Sequence, residues 1–460
     1  MRSETLAIVA ALSFFLVGYD NSMAKLGWQS NPDAAPYLQV KLLVVIANVA
    51  SVFSALVAGA TADYFGRKRH FTARGALFFA GNVLKSFGTV SFGVLAVGHI
   101  FTGLGTGISL TVGPVYIAEL VPARARGFFT SGAEVWLNTG VLAAYILNAM
   151  VSSFSQKVAH MAFYGIAVVL SILFTACTLA IPESPYWLLM KSGQTDEATR
   201  ILENSERGPD EVNFIISQME ILDDNENQQQ QQQHGVLAVA WCSSKDLFLQ
   251  PPIRNVVISV VGLHVFRQLA GVNYGFKANT VTFFHQFSNE FEVLAEWGIQ
   301  VVRLIFSLVS SCLVDRLGRR FMLVIGIGCQ CSFLVMLGLP LLGVQHNWLK
   351  PSSGSGYDQG VVVSFFMLGL AGVLGSFEVG LGSITWIYAS EVFEYKNRAH
   401  GASFGIAMNR VADTTEFLLF PYLAAWLHFG GAALVSFCLM ACALVFCAKF
   451  TVEKLKIIVE

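Results

Sequence analysis

The sequence predicts an all-α membrane protein of twelve transmembrane helices in two pseudo-symmetric six-helix halves. Three observations lead there. Hydrophobic residues make up 54% of the 460 and charged residues only 13%, too little charge to cover a soluble protein of this length. Asp63-Tyr64-Phe65-Gly66-Arg67-Lys68 recurs as Asp315-Arg316-Leu317-Gly318-Arg319-Arg320. Each copy is followed by an acid seven positions ahead of an arginine, Glu119 with Arg126 and Glu391 with Arg398. The order is the same both times, and each pattern borders a long apolar stretch, so the chain reads as an internal duplication.

A helical span needs about 20 mostly apolar residues, and the mean hydropathy of +0.59 allows many of them. Twelve stretches fit: 5–24, 37–60, 71–91, 93–117, 128–150, 160–181, 254–284, 291–314, 321–343, 361–388, 400–427 and 429–449. The first is followed by Asp20 and Lys25 with no small-residue cleavage site, so it reads as a span and not as a removable signal. The seventh contains Gly271 and Gly275 and is predicted to break.

Short-loop lysines and arginines set the orientation. Arg67, Lys68 and Arg69, then Arg124 and Arg126, then Arg316, Arg319 and Arg320, then Lys396 and Arg398, all fall on one side if the spans number twelve. Both termini are then expected in the cytoplasm. The expected organisation is a six-helix half over 1–181, a cytoplasmic linker over 182–252, a second half over 253–450 and a tail over 451–460. The linker carries short amphipathic helices, with Val212, Ile215, Ile216, Met219 and Leu222 at helical spacing, and a low-complexity tip, Gln228 to Gln233, read as a flexible spacer.

Several classes drop out. A net charge of −1 without a basic tract argues against a nucleic-acid partner. Most cysteines lie in or beside apolar runs, and Cys329-Gln330-Cys331 is too close-spaced for a zinc site, so neither a disulfide framework nor a metal centre is expected. No nucleophile–base pair or phosphate loop appears, and the glycine-rich runs sit inside spans, so an enzyme is not expected.

The duplicated turns carry the first candidate residues. Gly66 and Gly318 suit tight turns between helices, from which Arg67, Arg319 and Arg320 can reach carboxylates, Glu119 and Glu391 being the natural ones. Duplication favours a latch over ordinary flanking charge. Asp20 ends an uncharged stretch, Thr5 to Tyr19. It is either a protonation switch or an interfacial acid stabilised by water. Glu134, Glu378, Asp413 and Glu416 also lie within spans. Span seven holds Arg267, Gln268, Asn273 and Lys277 beside its glycines, and amides suit hydroxyl-rich ligands. In span ten, Trp386 is either an interfacial anchor or the apolar wall of a pocket. Glu378 is a candidate partner for Arg267 and Lys277.

These residues together resemble the sugar-porter branch of the major facilitator superfamily over nearly the whole chain, closest to plant-type polyol and monosaccharide carriers. The motifs are Gly59 through Asp63 to Lys68, Pro114 through Glu119 to Arg126-Gly127, Pro182-Glu183-Ser184-Pro185-Tyr186-Trp187-Leu188, Arg267-Gln268 to Asn273, Asp315 to Arg320, and Trp386 through Glu391 to Arg398. The resemblance implies a twelve-helix fold, alternating access and proton-coupled movement of a monosaccharide or linear polyol, with protons as the coupling ion and no cofactor. It implies a plasma-membrane protein that functions as a monomer in the lipid bilayer. It assigns Gln268, Asn273, Phe377, Trp386 and Asn409 to the solute site, beside Arg267 and Lys277. Asp20 matches the proton-coupling aspartate and Arg126 the arginine that pairs with it. Asp63, Arg67, Lys68, Glu119, Glu183, Asp315, Arg319, Arg320, Glu391 and Arg398 fall at gating positions. Two rival readings, a non-transporting sugar sensor or degenerate homologue and an uncoupled facilitator, predict binding without flux and uptake indifferent to a protonophore. In the latch reading, charge reversal at Glu119 or Glu391 is expected to raise labelling of engineered cysteines from the cytoplasm; unchanged labelling rejects it.

Overall fold

Apolar stretches cut off from water satisfy their backbone groups internally, and a helix does this within one segment. The computed structural model describes residues 3–29, 37–88, 91–151, 154–205, 207–230, 250–272, 289–345 and 359–451. Long helices follow the predicted spans: α1 (Ser3–Gln29), α2 (Tyr37–Phe65), α3 (Arg67–Ser86), α4 (Phe92–Leu120), α5 (Arg126–Val151) and α6 (Gln156–Ala180). The linker adds α7 (Pro185–Trp187), α8 (Thr195–Glu203) and α9 (Pro209–Gln230). Then come α10 (Pro251–Leu269), α11 (Asn289–Leu317), α12 (Arg319–Gln345), α13 (Gln359–Phe377), α14 (Ser383–Glu391) and α15 (Arg398–Phe450). Among the described residues, nine helical segments are long and apolar enough to cross a membrane.

Three of the predicted spans carry irregular backbone at or inside their ends. The predicted spans 400–427 and 429–449 are two helices within α15, parted at His428, whose φ of 56° and ψ of −178° are non-helical. The tenth span is interrupted by a π-helical turn, Glu378–Gly382, between α13 and α14. The seventh ends its described helix at Leu269, with Gly271 at φ 76°; Gly275 and the rest of that span lie outside the described residues. Gln228 to Gln230, the first half of the glutamine run, continue α9, since glutamine is a good helix former and α9 is already nucleated; Gln231 to Gln233 lie outside the described residues.

The repeated motif produces a repeated backbone. Gly66 has φ 88° and Gly318 has φ 87°, a region that side chains with a Cβ rarely enter. Each donates its N–H to the carbonyl four residues back, Gly66 to Ala62 and Gly318 to Val314, at 3.1 Å.

The chain divides into two compact units, Met1–Val261 with Trp386–Arg410, and Gly262–Thr385 with Val411–Glu460. The first unit therefore includes a segment that the sequence places in the second half. Two contacts explain this: Tyr395 stacks on Tyr186, and Ser403 fills the space left by Gly59.

Helices in the first unit approach closely through small residues, as expected where lipid offers no hydrophobic drive to association. A Cβ on Gly18 of α1 would overlap the Leu137 carbonyl of α5, and one on Gly140 of α5 would overlap the Phe15 carbonyl of α1. The two helices thus meet backbone to backbone. Gly140→Val is expected to push α1 from α5, costing about 1–3 kcal/mol and lowering the melting temperature in detergent. A melt equal to the parent's would show that this contact does not hold the pair together.

Candidate functional site

Buried charge marks the interior of the first unit. Asp20 on α1 accepts from Lys85 Nζ on α3 at 2.7 Å. Lys85 is fully buried and Asp20 nearly so. Arg74, about three turns earlier on α3, lies between the rings of Phe78 and Phe174, 4.2 Å from each centroid. It donates to Ser109 Oγ at 2.6 Å and to the Ser13 carbonyl at 2.7 Å. His99 on α4 and Tyr164 on α6 lie within electrostatic reach of Asp20.

Arg126 does not pair with Asp20. It is the first residue of α5, whereas Gly18 of α1 meets α5 at Leu137; at about 1.5 Å per residue the two levels are roughly 16 Å apart. The partner of Asp20 is Lys85.

A second polar group faces α14. Trp386 Nε1 donates to Glu134 Oε2 on α5 at 2.7 Å, and Phe14 meets the indole edge-on with centroids 5.8 Å apart. Asn138, one turn along α5 from Glu134, is fully buried, and neither of its amide atoms has a protein partner. An amide left so is costly unless something else bonds it. Asn409 on α15 is also buried, its side-chain oxygen accepting from Arg410 Nε at 3.1 Å.

The second unit has its own buried pair, Arg303 Nε to Glu378 Oε1 at 2.7 Å. Glu378 opens the π turn, so the irregular backbone and the charge pair share one place. Arg267 donates to the turn's carbonyls at Leu381 and Gly382. Phe377 is buried beneath both arginines, with the Arg267 and Arg303 guanidiniums 5.4 and 6.0 Å from its ring centroid. Gln268 is buried beside Arg267 on α10. Asn273 and Lys277 lie outside the described residues.

At the basic end of the first unit, Arg67 pairs with Asp63 at 2.8 Å and with Glu119 at 3.0 Å. Glu119 also accepts from Ser184 Oγ at 2.5 Å. Glu183 accepts from the backbone N–H groups of Arg67 at 2.7 Å and Lys68 at 3.1 Å, so a carboxylate sits on the first turn of α3, where the helix dipole favours it. Burial still pushes Glu183 above the ordinary carboxylate range, the N–H donors offsetting part of that. Lys68 contributes its backbone to this cap. In the second unit Asp315 pairs with Arg319 at 2.9 Å, and Arg320 donates to the Ala448 carbonyl at 2.9 Å. Glu391 ends α14 and Arg398 begins α15, both in the first unit.

The linker is built into this end. Tyr186 and Tyr395 stack with centroids 4.3 Å apart and hydroxyls 3.2 Å apart. Arg398 lies 4.1 Å over the Tyr395 ring. Arg207 donates to the Tyr186 hydroxyl at 3.2 Å and to the Glu119 and Val121 carbonyls at 3.1 and 3.0 Å. Tyr186 also joins Leu202, Val212, Ile215 and Met219 in a small core. Burial and the neighbouring phenol push Tyr186 up. Burial opposes ionisation of Tyr395 too, but Arg398 and Arg126 outweigh it and hold that phenol below its ordinary range.

The model of the family described as sugar (and other) transporters matches residues 6–458. The chain belongs to that family. It is 30% identical to putative polyol transporter 1 of Arabidopsis thaliana over 97% of this chain and 88% of the relative. It is 27% identical to myo-inositol transporter 1 of Saccharomyces cerevisiae over 88% and 69%. Among solved structures it is similar to the proton:xylose symporter XylE bound to 6-bromo-6-deoxy-D-glucose, with a TM-score of 0.82 at 20% identity over 98% of this chain and 96% of that one. The fucose:proton symporter FucP of E. coli matches with a TM-score of 0.66 at 12% identity over 98% and 100%. The fold is the twelve-helix major facilitator fold, and this member of the transporter family is an integral membrane transporter and not an enzyme.

Sequence reasoning missed Lys85, Arg303, Asn138 and Arg207. Lys85 shares predicted span three with Arg74, and Arg303 is the one cation of predicted span eight; each lies within an apolar stretch and was legible there. Asn138 lies one turn from Glu134 and was legible as its helical neighbour. The Tyr186 contact yields an expectation. Tyr186→Ala is expected to cut amide-exchange protection of α9 over Val212 to Met219 at least about tenfold, and Tyr186→Phe much less, since the stack and the small core survive. Equal protection in all three proteins would show that the tyrosine does not dock the linker.

Proposed function

We propose that this chain moves a polyol or monosaccharide by alternating access, driven by proton symport. It acts as a monomer in the plasma membrane with both termini in the cytoplasm, as the loop charges imply. The observation that carries the solute class is the cluster of Trp386, Glu134 and Asn138. An indole face suits sugar C–H groups, a carboxylate accepts from hydroxyls, and an unpartnered amide both donates and accepts. A linear polyol presents those groups in series. On binding, solute hydroxyls take the place of the indole N–H at Glu134 and complete the bonds of Asn138. The polyol and inositol transport named for the relatives points the same way.

The proton reading rests on Asp20. Its carboxylate is buried against Lys85, and taking up a proton cancels one charge of that pair. Proton binding then changes what holds α1 to α3, and the pair couples an ion gradient to helix movement. The turn contacts of Arg67, Glu119 and Glu183 close the cytoplasmic side in this reading.

The test is uptake of labelled hexoses, pentoses and polyols by cells lacking their own carriers. Accumulation of a polyol or monosaccharide is expected, abolished by a protonophore. Asp20→Asn is expected to lose accumulation and keep counterflow. Asn138→Leu is expected to raise the half-saturating concentration roughly tenfold, about 1.4 kcal/mol. Uptake of none of the panel rejects the solute class, and protonophore-insensitive accumulation rejects the coupling.

A further inference from the structure

His99 has no part in what has been described, yet it lies against the Asp20–Lys85 pair. It is 2% exposed. Its Nδ1 is 2.9 Å from the Leu95 carbonyl oxygen. A carbonyl only accepts, so Nδ1 carries the hydrogen and Nε2 is a bare lone pair. Nε2 has no protein partner. The ring interacts electrostatically with both Lys85 and Asp20.

Close packing brings the amine to this ring. Helices α3 and α4 meet at Gly81 and Gly98, and a Cβ on Gly98 would lie 2.7 Å from Lys85 Cγ. The lysine stem therefore runs along α4 at the residue before His99. A lysine carries its charge on a flexible four-carbon stem with three rotatable donors, which a planar guanidinium does not offer. Its ammonium can thus choose between α1 and α4 without a helix moving.

Protonation of Asp20 forces that choice. A neutral carboxylic acid no longer balances the ammonium, and an uncompensated charge in a low-dielectric interior is strongly unfavourable. We propose that His99 Nε2 is the second acceptor for Lys85: when Asp20 takes up a proton, Nζ leaves Oδ1 and donates to Nε2. The ammonium keeps its proton throughout, and the imidazole stays neutral. The bond linking α1 to α3 is exchanged for one linking α3 to α4. His99 is a positioning residue in this step, acting through Lys85, and the inference rests on the proton-symport reading. The other titratable side chains that interact with this pair are Tyr19 on α1, Arg74 on α3, and His160 and Tyr164 on α6. The Tyr19 hydroxyl donates to the Phe163 carbonyl at 3.0 Å, His160 Nε2 is 2.9 Å from the Lys85 carbonyl, Arg74 is bonded to Ser109 and Ser13, and Lys85 Nζ lies 5.8 Å from the Tyr164 ring centroid.

The experiment uses the full-length chain and two readouts. In the first, uptake is measured against external pH. His99→Phe keeps the ring and removes the acceptor, so the protonated state is destabilised and the half-maximal pH is expected to fall by about one unit. His99→Gln restores an acceptor and is expected to return the midpoint towards the parent's. In the second, counterflow is measured in the D20N background, where the acid is permanently neutral. D20N/H99F leaves Lys85 with neither a carboxylate nor the imidazole acceptor, only the neutral amide oxygen at position 20, and is expected to lose at least about nine-tenths of D20N counterflow or to fail to reach the surface. D20N/H99F/K85M removes the stranded ammonium and is expected to recover what the double variant lost, whether flux or surface expression. An unchanged midpoint in H99F, or counterflow in D20N/H99F equal to that in D20N, overturns the proposal. So does a triple variant no better than the double. Failure of the parent to accumulate solute in acid would instead reject the symport reading itself.

Discussion

Charge that cannot reach water must be answered inside the bundle, and the 2.7 Å contact between Lys85 and Asp20 is where this demand is most severe. Lys85 lies in the last turn of α3 yet is 1% exposed, and Asp20 is 9% exposed, so α1 and α3 are held in one register by the pair. That register sets much else. It aligns Arg74 with the Ser13 carbonyl two to three turns away, and it lays the Lys85 stem against Gly98, which lets α3 and α4 approach closely. The glycines are thus conditions of the ion pair as much as of the packing. The same rule operates in the second unit, where Arg303 and Glu378 meet at a π turn.

Most of the architecture was legible because membranes simplify the problem. Long apolar runs become helices, and runs of lysine and arginine mark their ends. What escaped was of two kinds. Where the backbone turns irregular inside a span, as in the π turn Glu378–Gly382, the apolar pattern runs through it without a mark. Where partners are chosen, spacing along the chain says little, because Asp20 and Lys85 are 65 residues apart. Arg126 was the natural guess from a motif that begins a helix. The geometry of α5 carries it to the far end of the span from Asp20, and a cation within span three answers instead.

The candidate site was readable in part for the same reason. Trp386 was visible as an unusual aromatic after a glycine-rich run, and Glu134 as an acid in a span. That one donates to the other at 2.7 Å needed the fold. Tyr186 was visible only as a member of the Pro182 to Leu188 motif, and its role follows once Tyr395 and Arg207 are seen around it. A tyrosine there joins the linker to the bundle by stacking and burial, where a charged side chain would need an acid.

The paired turns at Gly66 and Gly318 are two outcomes of drift from one template. Both copies retain the glycine, at φ 88° and 87°, and both retain the aspartate and arginine that bond four residues apart, at 2.8 and 2.9 Å. The two positions between aspartate and glycine have diverged completely, Tyr64-Phe65 in one copy and Arg316-Leu317 in the other. Tyr64, Phe65 and Leu317 are exposed. Tolerance to change therefore differs from one residue to the next within six, and the duplication records which of these positions the turn geometry leaves free and which it does not.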